Sequence, residues 1–353
     1  MNSTFKTKMV YFVGCLCFFF NLTSIPAQKP AEDKTGAQAE LLKSLMQGMQ
    51  QQRALLQSGE FKADASVTFS PDKDPTNQNE DAVRVFMKAD CFFAAGFKQF
   101  RFDQDVKQIA PHPHEKDGLR TLTFQSKYVK TPKYSIHTEG DNTSVRINAP
   151  EYKPYGYFSP FDIRAIGLIN DSELLRGMSR SGSRWFLPGV LERYQAYTLQ
   201  NITRLNAGIY QVTWLFGKSN QFKLVLSIDK RHGFTPTQYT VYRKRGTPRT
   251  FEKAAFLDIE VTWNEIENVW VPVALKTEGQ SHQRRLEMKF KWLKVNQPVA
   301  ETVFTVDGMI LPAGRRLEND LGETGIIETS VIDHRFGIKK LIRGGTFIPD
   351  HNP

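Results

Sequence analysis

The sequence predicts a mainly β (α+β) fold: a large curved antiparallel sheet, an incomplete β-barrel, with an N-terminal helix and inserted helices covering its concave face. Three observations predict it. Apolar residues recur at helical spacing once, early in the chain; from Glu60 onward they recur at every second residue; and that alternation stops between Tyr157 and Tyr194 before resuming. Strands with one apolar and one wet face, joined by short polar turns, belong to antiparallel sheets. A sheet of more than about ten strands must curl or split.

The elements follow in order. Met1 to Lys8 carries Lys6 and Lys8 and no acid, Met9 to Leu22 is almost wholly apolar, and Ser24-Ile25-Pro26-Ala27 follows. Basic, apolar and small segments in that order make a secretory signal, and the 14-residue apolar run is short of the roughly 20 residues that a membrane-spanning helix needs. Residues 1–27 are therefore expected to be a signal peptide cut near Ala27, with an uncleaved anchor as the alternative. Phe12-Val13-Gly14-Cys15 is similar to a lipoprotein signal, but apolar residues continue past it to Phe20. The mature chain is expected to be exported, to the periplasm or cell envelope.

Residues 28–37 are polar and read as a linker. Leu41, Leu42, Leu45, Met49 and Leu56 then mark an amphipathic helix over about 38–57, stopped near Gly59. The clearest strand is Leu286-Glu287-Met288-Lys289-Phe290-Lys291-Trp292, matched by residues 210–216 and 222–228. Further strands are expected over 60–69, 82–93, 97–104, 120–128, 133–138, 143–148, 195–204, 236–244, 254–264, 268–276 and 324–332. Asn206-Ala207-Gly208, Gly217-Lys218-Ser219-Asn220 and Glu265-Ile266-Glu267-Asn268 read as hairpin connections. The helical insertion spans about 165–194: Asp171 is a plausible N-cap for Ser172-Glu173-Leu174-Leu175, and Pro188 to Tyr194 adds a turn or two. One domain over 38–333 results, and the tail 334–353 shows no clear period.

With 40% apolar residues in 353, the chain can bury a sizeable core. The 24 Gly and 18 Pro exclude collagen-like and low-complexity classes. Lys and Arg number 47 against 37 Asp and Glu, a formal net charge of +10, which would draw an exported protein to acidic envelope polymers or anionic head groups. Cations and acids are interspersed apart from short runs such as Arg243-Lys244-Arg245, which favours an ordinary mixed surface. No basic-aromatic motif of a nucleic-acid reader occurs, so nucleic acid is not an expected partner. Cys15 and Cys17 leave with the signal, and Cys91, in a strand-like run, reads as a buried thiol.

Three stretches carry a resemblance. Phe161-Asp162-Ile163-Arg164-Ala165-Ile166-Gly167-Leu168 precedes the insertion, Asn268-Val269-Trp270-Val271-Pro272-Val273 lies on a late strand, and Trp292-Leu293-Lys294-Val295-Asn296-Gln297-Pro298 runs on to Phe304-Thr305-Val306. With the order of elements, they make residues 38–333 resemble the LolA/LolB-like superfamily, the lipoprotein carriers of the bacterial periplasm and their secreted relatives. The resemblance implies an unclosed barrel capped by helices and enclosing an apolar cavity for acyl chains. It also implies an Arg on an early strand that holds the lid. The matching stretch, Ala94 to Arg101, has no Arg at that place, and Arg101 comes several positions later.

Tyr210, Val212, Trp214 and Phe216, with Leu286, Met288, Phe290 and Trp292, read either as the lining of such a cavity or as a dry core, because large aromatics dominate ordinary cores. The candidate ligand-cavity residues are Trp214, Phe216, Leu224, Leu226, Met288, Phe290 and Trp292. No G-x-S-x-G, H-E-x-x-H, P-loop or G-x-G-x-x-G occurs, so no catalytic residue, metal or cofactor is expected. His112-Pro113-His114-Glu115 reads as polar surface, and Asp258 and Glu260 as the wet face of a strand. Three functions are open: the first is a non-enzymatic binding protein holding a lipid, an acylated molecule or another amphiphile, and the second a cell-envelope structural or interaction module with a filled core. An enzyme whose site is assembled from residues distant in sequence is the third.

Overall fold

The computed structural model describes residues 32–69, 83–111, 118–139, 144–150, 160–170, 187–246, 249–252, 257–279, 284–305, 307–309, 316–319, 328–333, 337–343 and 346–349. Helix α1 (Glu32–Ala54) leads into β1 (Gly59–Phe69), β2 (Val83–Ala94), β3 (Gln99–Pro111), β4 (Leu119–Lys130), β5 (Ser135–Glu139) and β6 (Ser144–Asn148). Helix α2 (Leu187–Gln195) precedes β7 (Thr198–Arg204), β8 (Ile209–Phe216), β9 (Phe222–Asp229), β10 (Thr235–Arg245) and the short β11 (Thr250–Phe251). Then come β12 (Leu257–Ile266), β13 (Val269–Gly279), β14 (Arg284–Val295), β15 (Arg316–Asn319), β16 (Glu328–Asp333), β17 (Gly337–Arg343) and β18 (Thr346–Pro349).

Strand registers set the order. The half before the insertion pairs as β1-β2-β3-β4-β5-β6, and the half after it as β7-β8-β9-β10-β12-β13-β14. Antiparallel pairing of β1 with β14, Gly59 opposite Val295 through Phe69 opposite Arg284, joins the halves. β15 continues the first half by a parallel pairing with β6, and β16, β17 and β18 follow antiparallel. No pairing among the described residues joins β7 to β18, so the sheet is mostly antiparallel and not closed, as the alternation predicts.

Alternation decides which face is buried. In β2, Val85, Met87, Ala89, Cys91 and Phe93 are buried while Arg84, Phe86, Lys88 and Asp90 face outward. In β14, Leu286, Met288 and Phe290 do the same against Glu287, Lys289 and Lys291. The inner rows of β1–β4, β7–β10 and β12–β14 form one apolar core with α1, residues 161–169 and α2. Val129, Ile136, Val145, Phe304 and Met309 form a smaller second cluster, which with Val299 and Val303 packs against the sheet.

Several expectations change. α1 begins at Glu32, inside the stretch read as a linker, and ends at Ala54; no proline lies between Pro30 and Pro71 to stop it. Gly48 sits inside the helix because a Cβ there would lie 2.6 Å from the Phe234 ring. β17 and β18 occupy the tail that shows no period, and β15 was not anticipated. In the β12–β13 connection Glu267 and Asn268 both have positive φ, 51° and 62°, the hand that matches the twist of a tight hairpin. The signal segment, His112 to Glu115 and the helix expected from Asp171 lie outside the described residues.

Candidate functional site

The insertion enters the concave side at residues 160–170. Ile163, Ala165, Ile166 and Leu168 are wholly buried, and the Phe161 ring lies 5.7 Å from Phe102 and 6.3 Å from Phe290. Gly167 has φ +80°, and a Cβ on it would lie 2.8 Å from Pro236 Cγ, so the chain turns there on a residue without a side chain.

Buried backbone in such a loop needs partners, and side chains supply them. Asp162, fully buried, accepts hydrogen bonds from the Arg164 N–H at 3.0 Å and from its Nε and Nη2 at 2.9 and 2.8 Å. It also accepts from Leu187 N at 3.1 Å, an orphan amide of the first turn of α2. From α1, Arg53 donates to the carbonyls of Arg164 and Ile166 and lies 4.5 Å over the Trp263 ring. Burial pulls the Arg53 guanidinium down to about 9, with the Asp162 charge pulling the other way. Tyr194 Oη and Arg193 Nη2, both on α2, donate to the Leu168 carbonyl at 2.8 and 3.1 Å. The stretch quoted for the family resemblance is thus a plug, held by an Arg on α1 and by two residues of α2.

The structure brings the seven candidate cavity residues onto the same concave face but spreads them through the core. Leu224, Leu226, Met288 and Phe290 are buried in the main cluster. Trp292 donates from Nε1 to the Pro272 carbonyl at 2.9 Å, its ring 5.0 Å from Phe61. Phe216 stacks between Tyr197 at 4.7 Å and Phe222 at 5.2 Å. Trp214 alone among the seven lines a cleft, of about 380 Å³, between α1 and α2. Its other apolar walls are Ala39, Leu42 and Met46 of α1 and Leu191 and Tyr194 of α2, and the polar Lys43, Gln47, Gln50 and Gln195 line it as well. Trp214 Nε1 is buried with no hydrogen-bond partner among the described residues. The α1 wall was legible as a second apolar stripe, Ala39, Leu42 and Met46, beside Leu45 and Met49. Leu191 and Tyr194 lie in the stretch expected to form a turn or two, but nothing in its period marks them as lining.

The opposite face has its own anchor. Arg101, several positions past the place expected for a lid Arg, is buried against Asp103 and the Phe92 ring, and donates to the carbonyls of Val303 and Gly308. Lys127 Nζ donates to the Met309 carbonyl at 2.7 Å. These contacts hold Val303, Gly308 and Met309, not the insertion. A volume of about 560 Å³ bounded by β1–β4 is bordered by alternating cations and anions, among them the pair Lys62–Asp90 at 2.8 Å. Asp258, half-buried, accepts from Thr240 Oγ1 at 2.8 Å, and Glu260 is exposed. Cys91 is free and buried, and burial pushes its thiol well above the usual range. Among the described residues no three His, Cys, Asp or Glu side chains could together hold a metal ion.

No protein-family model and no curated protein matches the chain. Among solved structures it is similar to a DUF1329 family protein from Desulfovibrio piger, at TM-score 0.38 and 11% identity over 75% of this chain and 98% of the other. It is also similar to a domain assigned to the outer membrane lipoprotein-sorting proteins, from Vibrio parahaemolyticus, at TM-score 0.35 and 11% identity over 76% and 98%. A LolA superfamily protein from Nitrosomonas europaea aligns at TM-score 0.35 and 10% identity over 75% and 98%. The open sheet and its plug are set by this chain's own registers and contacts.

Proposed function

We propose that the protein is an exported, non-enzymatic binding protein of the periplasm or cell envelope, its signal cut near Ala27, which holds the apolar part of a lipid or acylated molecule. The observation that carries this reading is the cleft between α1 and α2. Its volume of about 380 Å³ falls in the range of small-molecule sites, and mostly apolar walls with a few polar groups are what such sites have. Leu42, Met46, Leu191 and Trp214 would meet the apolar chain, with Lys43 available to an anionic head group. Phe290 meets the plug at Phe161, and outward movement of residues 160–170 would open the cleft toward Phe290 and the other concave residues Phe216, Leu224, Leu226, Met288 and Trp292. Each buried CH₂ adds roughly 0.8 kcal/mol, all of which must be returned on release, so a movable plug suits a carrier.

The test is native mass spectrometry of protein purified from its host without detergent, followed by extraction, together with uptake of a fluorescent fatty acid by the parent and by Met46→Asp. Met46 is half-buried against the main core, so near-UV circular dichroism of the variant checks that its fold is kept. A stoichiometric acylated adduct, and uptake lost in the variant, is the expected result. A second reading, a filled interaction module, is favoured by the burial of Ile163, Ile166 and Leu168 against the sheet. A clean apo mass with no uptake points to the filled core instead.

A further inference from the structure

One end of the sheet concentrates charge. Residues 217–223 and 242–252 contain six cations, Lys218, Lys223, Arg243, Lys244, Arg245 and Arg249, and a single acid, Glu252. Half of the chain's formal net charge of +10 therefore lies in two short stretches. The fold puts them together: β9 pairs with β10 from Phe222 opposite Arg243, Lys244 N donates to the Gln221 carbonyl at 2.9 Å, and β11 folds back on the end of β10. Lys218, Arg243, Arg245 and Arg249 are exposed.

Aromatic rings are interleaved with these cations. Lys223 Nζ lies 4.3 Å from the Tyr242 ring and 5.1 Å from Phe251, and Lys244 Nζ lies 4.9 Å from Phe251. Cations held over half-buried rings form a surface with an apolar body and a charged rim, as side chains do at a lipid head-group boundary. A line of ring contacts then runs inward from this end. Phe222 meets Phe216 at 5.2 Å, Phe216 meets Tyr197 at 4.7 Å, Tyr197 meets Tyr194 at 5.5 Å, and Tyr194 meets Trp214 in the cleft at 5.2 Å.

We propose that the end of the sheet formed by the β8–β9 connection and the β10–β11 hairpin docks on an anionic lipid surface. Charge complementarity selects that partner. An acidic soluble polymer would satisfy the cations and leave the rings without a role, whereas a bilayer surface engages both. The docking stands on the basic-aromatic end alone. Only its use, passing an amphiphile along the aromatic line to Trp214, rests on the cleft reading.

The experiment is co-sedimentation of the protein, as purified from its host, with vesicles of phosphatidylcholine alone or with one-third phosphatidylglycerol. It is repeated with Lys218→Gln/Arg243→Gln/Arg249→Gln, whose fold is checked by near-UV circular dichroism. Binding is expected only to the anionic vesicles and to weaken as salt is raised. The triple variant should lose affinity about 100-fold, at roughly fivefold per cation near the surface. Equal sedimentation with both vesicles overturns the proposal, as does an unchanged affinity in the variant. So does binding to soluble polyglutamate with none to vesicles, which assigns this end to an acidic polymer. Parent and variant share residues 1–31, so those residues cannot account for a difference between them. Fatty-acid uptake separates the two ideas: if Met46→Asp and the parent both fail to take up the probe while vesicle binding persists, the cleft reading falls and the docking surface stands.

Discussion

Replacing Asp162 by Asn tests the plug most directly. The carboxylate is fully buried and accepts four hydrogen bonds, three from Arg164 and one from the first turn of α2. The change keeps the shape and removes the charge, leaving the Arg164 and Arg53 guanidiniums beside each other without their anion. Removing one partner of a buried ion pair costs about 3–5 kcal/mol, because the other charge stays out of water. With a urea slope of about 3 kcal/mol/M, the unfolding midpoint falls by about 1 M or more. Hydrogen exchange should quicken first in residues 160–170 and in the first turn of α2. Adding Arg164→Met should recover part of the loss, since the penalty comes from the unpaired guanidinium. Asp90→Asn, which breaks the solvent-exposed pair with Lys62, leaves the midpoint in place. A midpoint for Asp162→Asn within about 0.3 M of the parent would refute the argument that this pair holds the plug.

His137 is buried, and burial first, then Arg146, pulls it down from 6.5 to about 4. The unfolded chain therefore takes up a proton near pH 6.5 that the folded protein refuses until about pH 4. Stability is lost as pH falls through that window, by about 3 kcal/mol in all, and urea titrations of His137→Gln should show a flatter acid limb. Gly48→Ala adds a Cβ 2.6 Å from the Phe234 ring; overpacking of about 1–3 kcal/mol offsets the helix-propensity gain of about 1 kcal/mol, and a raised melting temperature would contradict the contact. Cys91, a buried thiol held protonated by its surroundings, should resist a thiol reagent in the native protein and react as fast as the chain opens.

The sheet was legible because its inner and outer rows differ sharply. Every second residue of β2 and β14 is apolar, and the turn chemistry of Glu267-Asn268 fixes where one strand gives way to the next. The terminal hairpin was missed because Gly337-Ile338-Lys339-Lys340-Leu341-Ile342-Arg343 does not alternate, although Gly344-Gly345 before Thr346 is itself a hairpin signal. The plug was legible as a motif and not as a device: nothing in the spacing of Asp162 reveals that it reaches Leu187, or that Arg53 reaches over from α1, since these are contacts across 25 and more than 100 residues. The same holds for the candidate site. Strand alternation places Leu224, Leu226, Met288 and Phe290 on the concave side, but whether a concave residue meets empty space or the plug depends on how far residues 160–170 reach inward. The basic run Arg243-Lys244-Arg245 read as ordinary surface because its companions, Lys218 and Lys223, come from the neighbouring hairpin.

The pairing of β1 with β14 bears on the order in which the chain is made. Gly59–Phe69 leaves the ribosome early, and its partner Arg284–Val295 only after the roughly 200 residues between them, which take on the order of 10–40 s to synthesise. Until then the first half of the sheet has a bare β1 edge and an apolar concave face that α1 alone cannot cover, an invitation to pair with another copy. A message cut short before Arg284 would leave that state permanent. The topology therefore favours a chain that is kept unfolded until both strands of this seam are available.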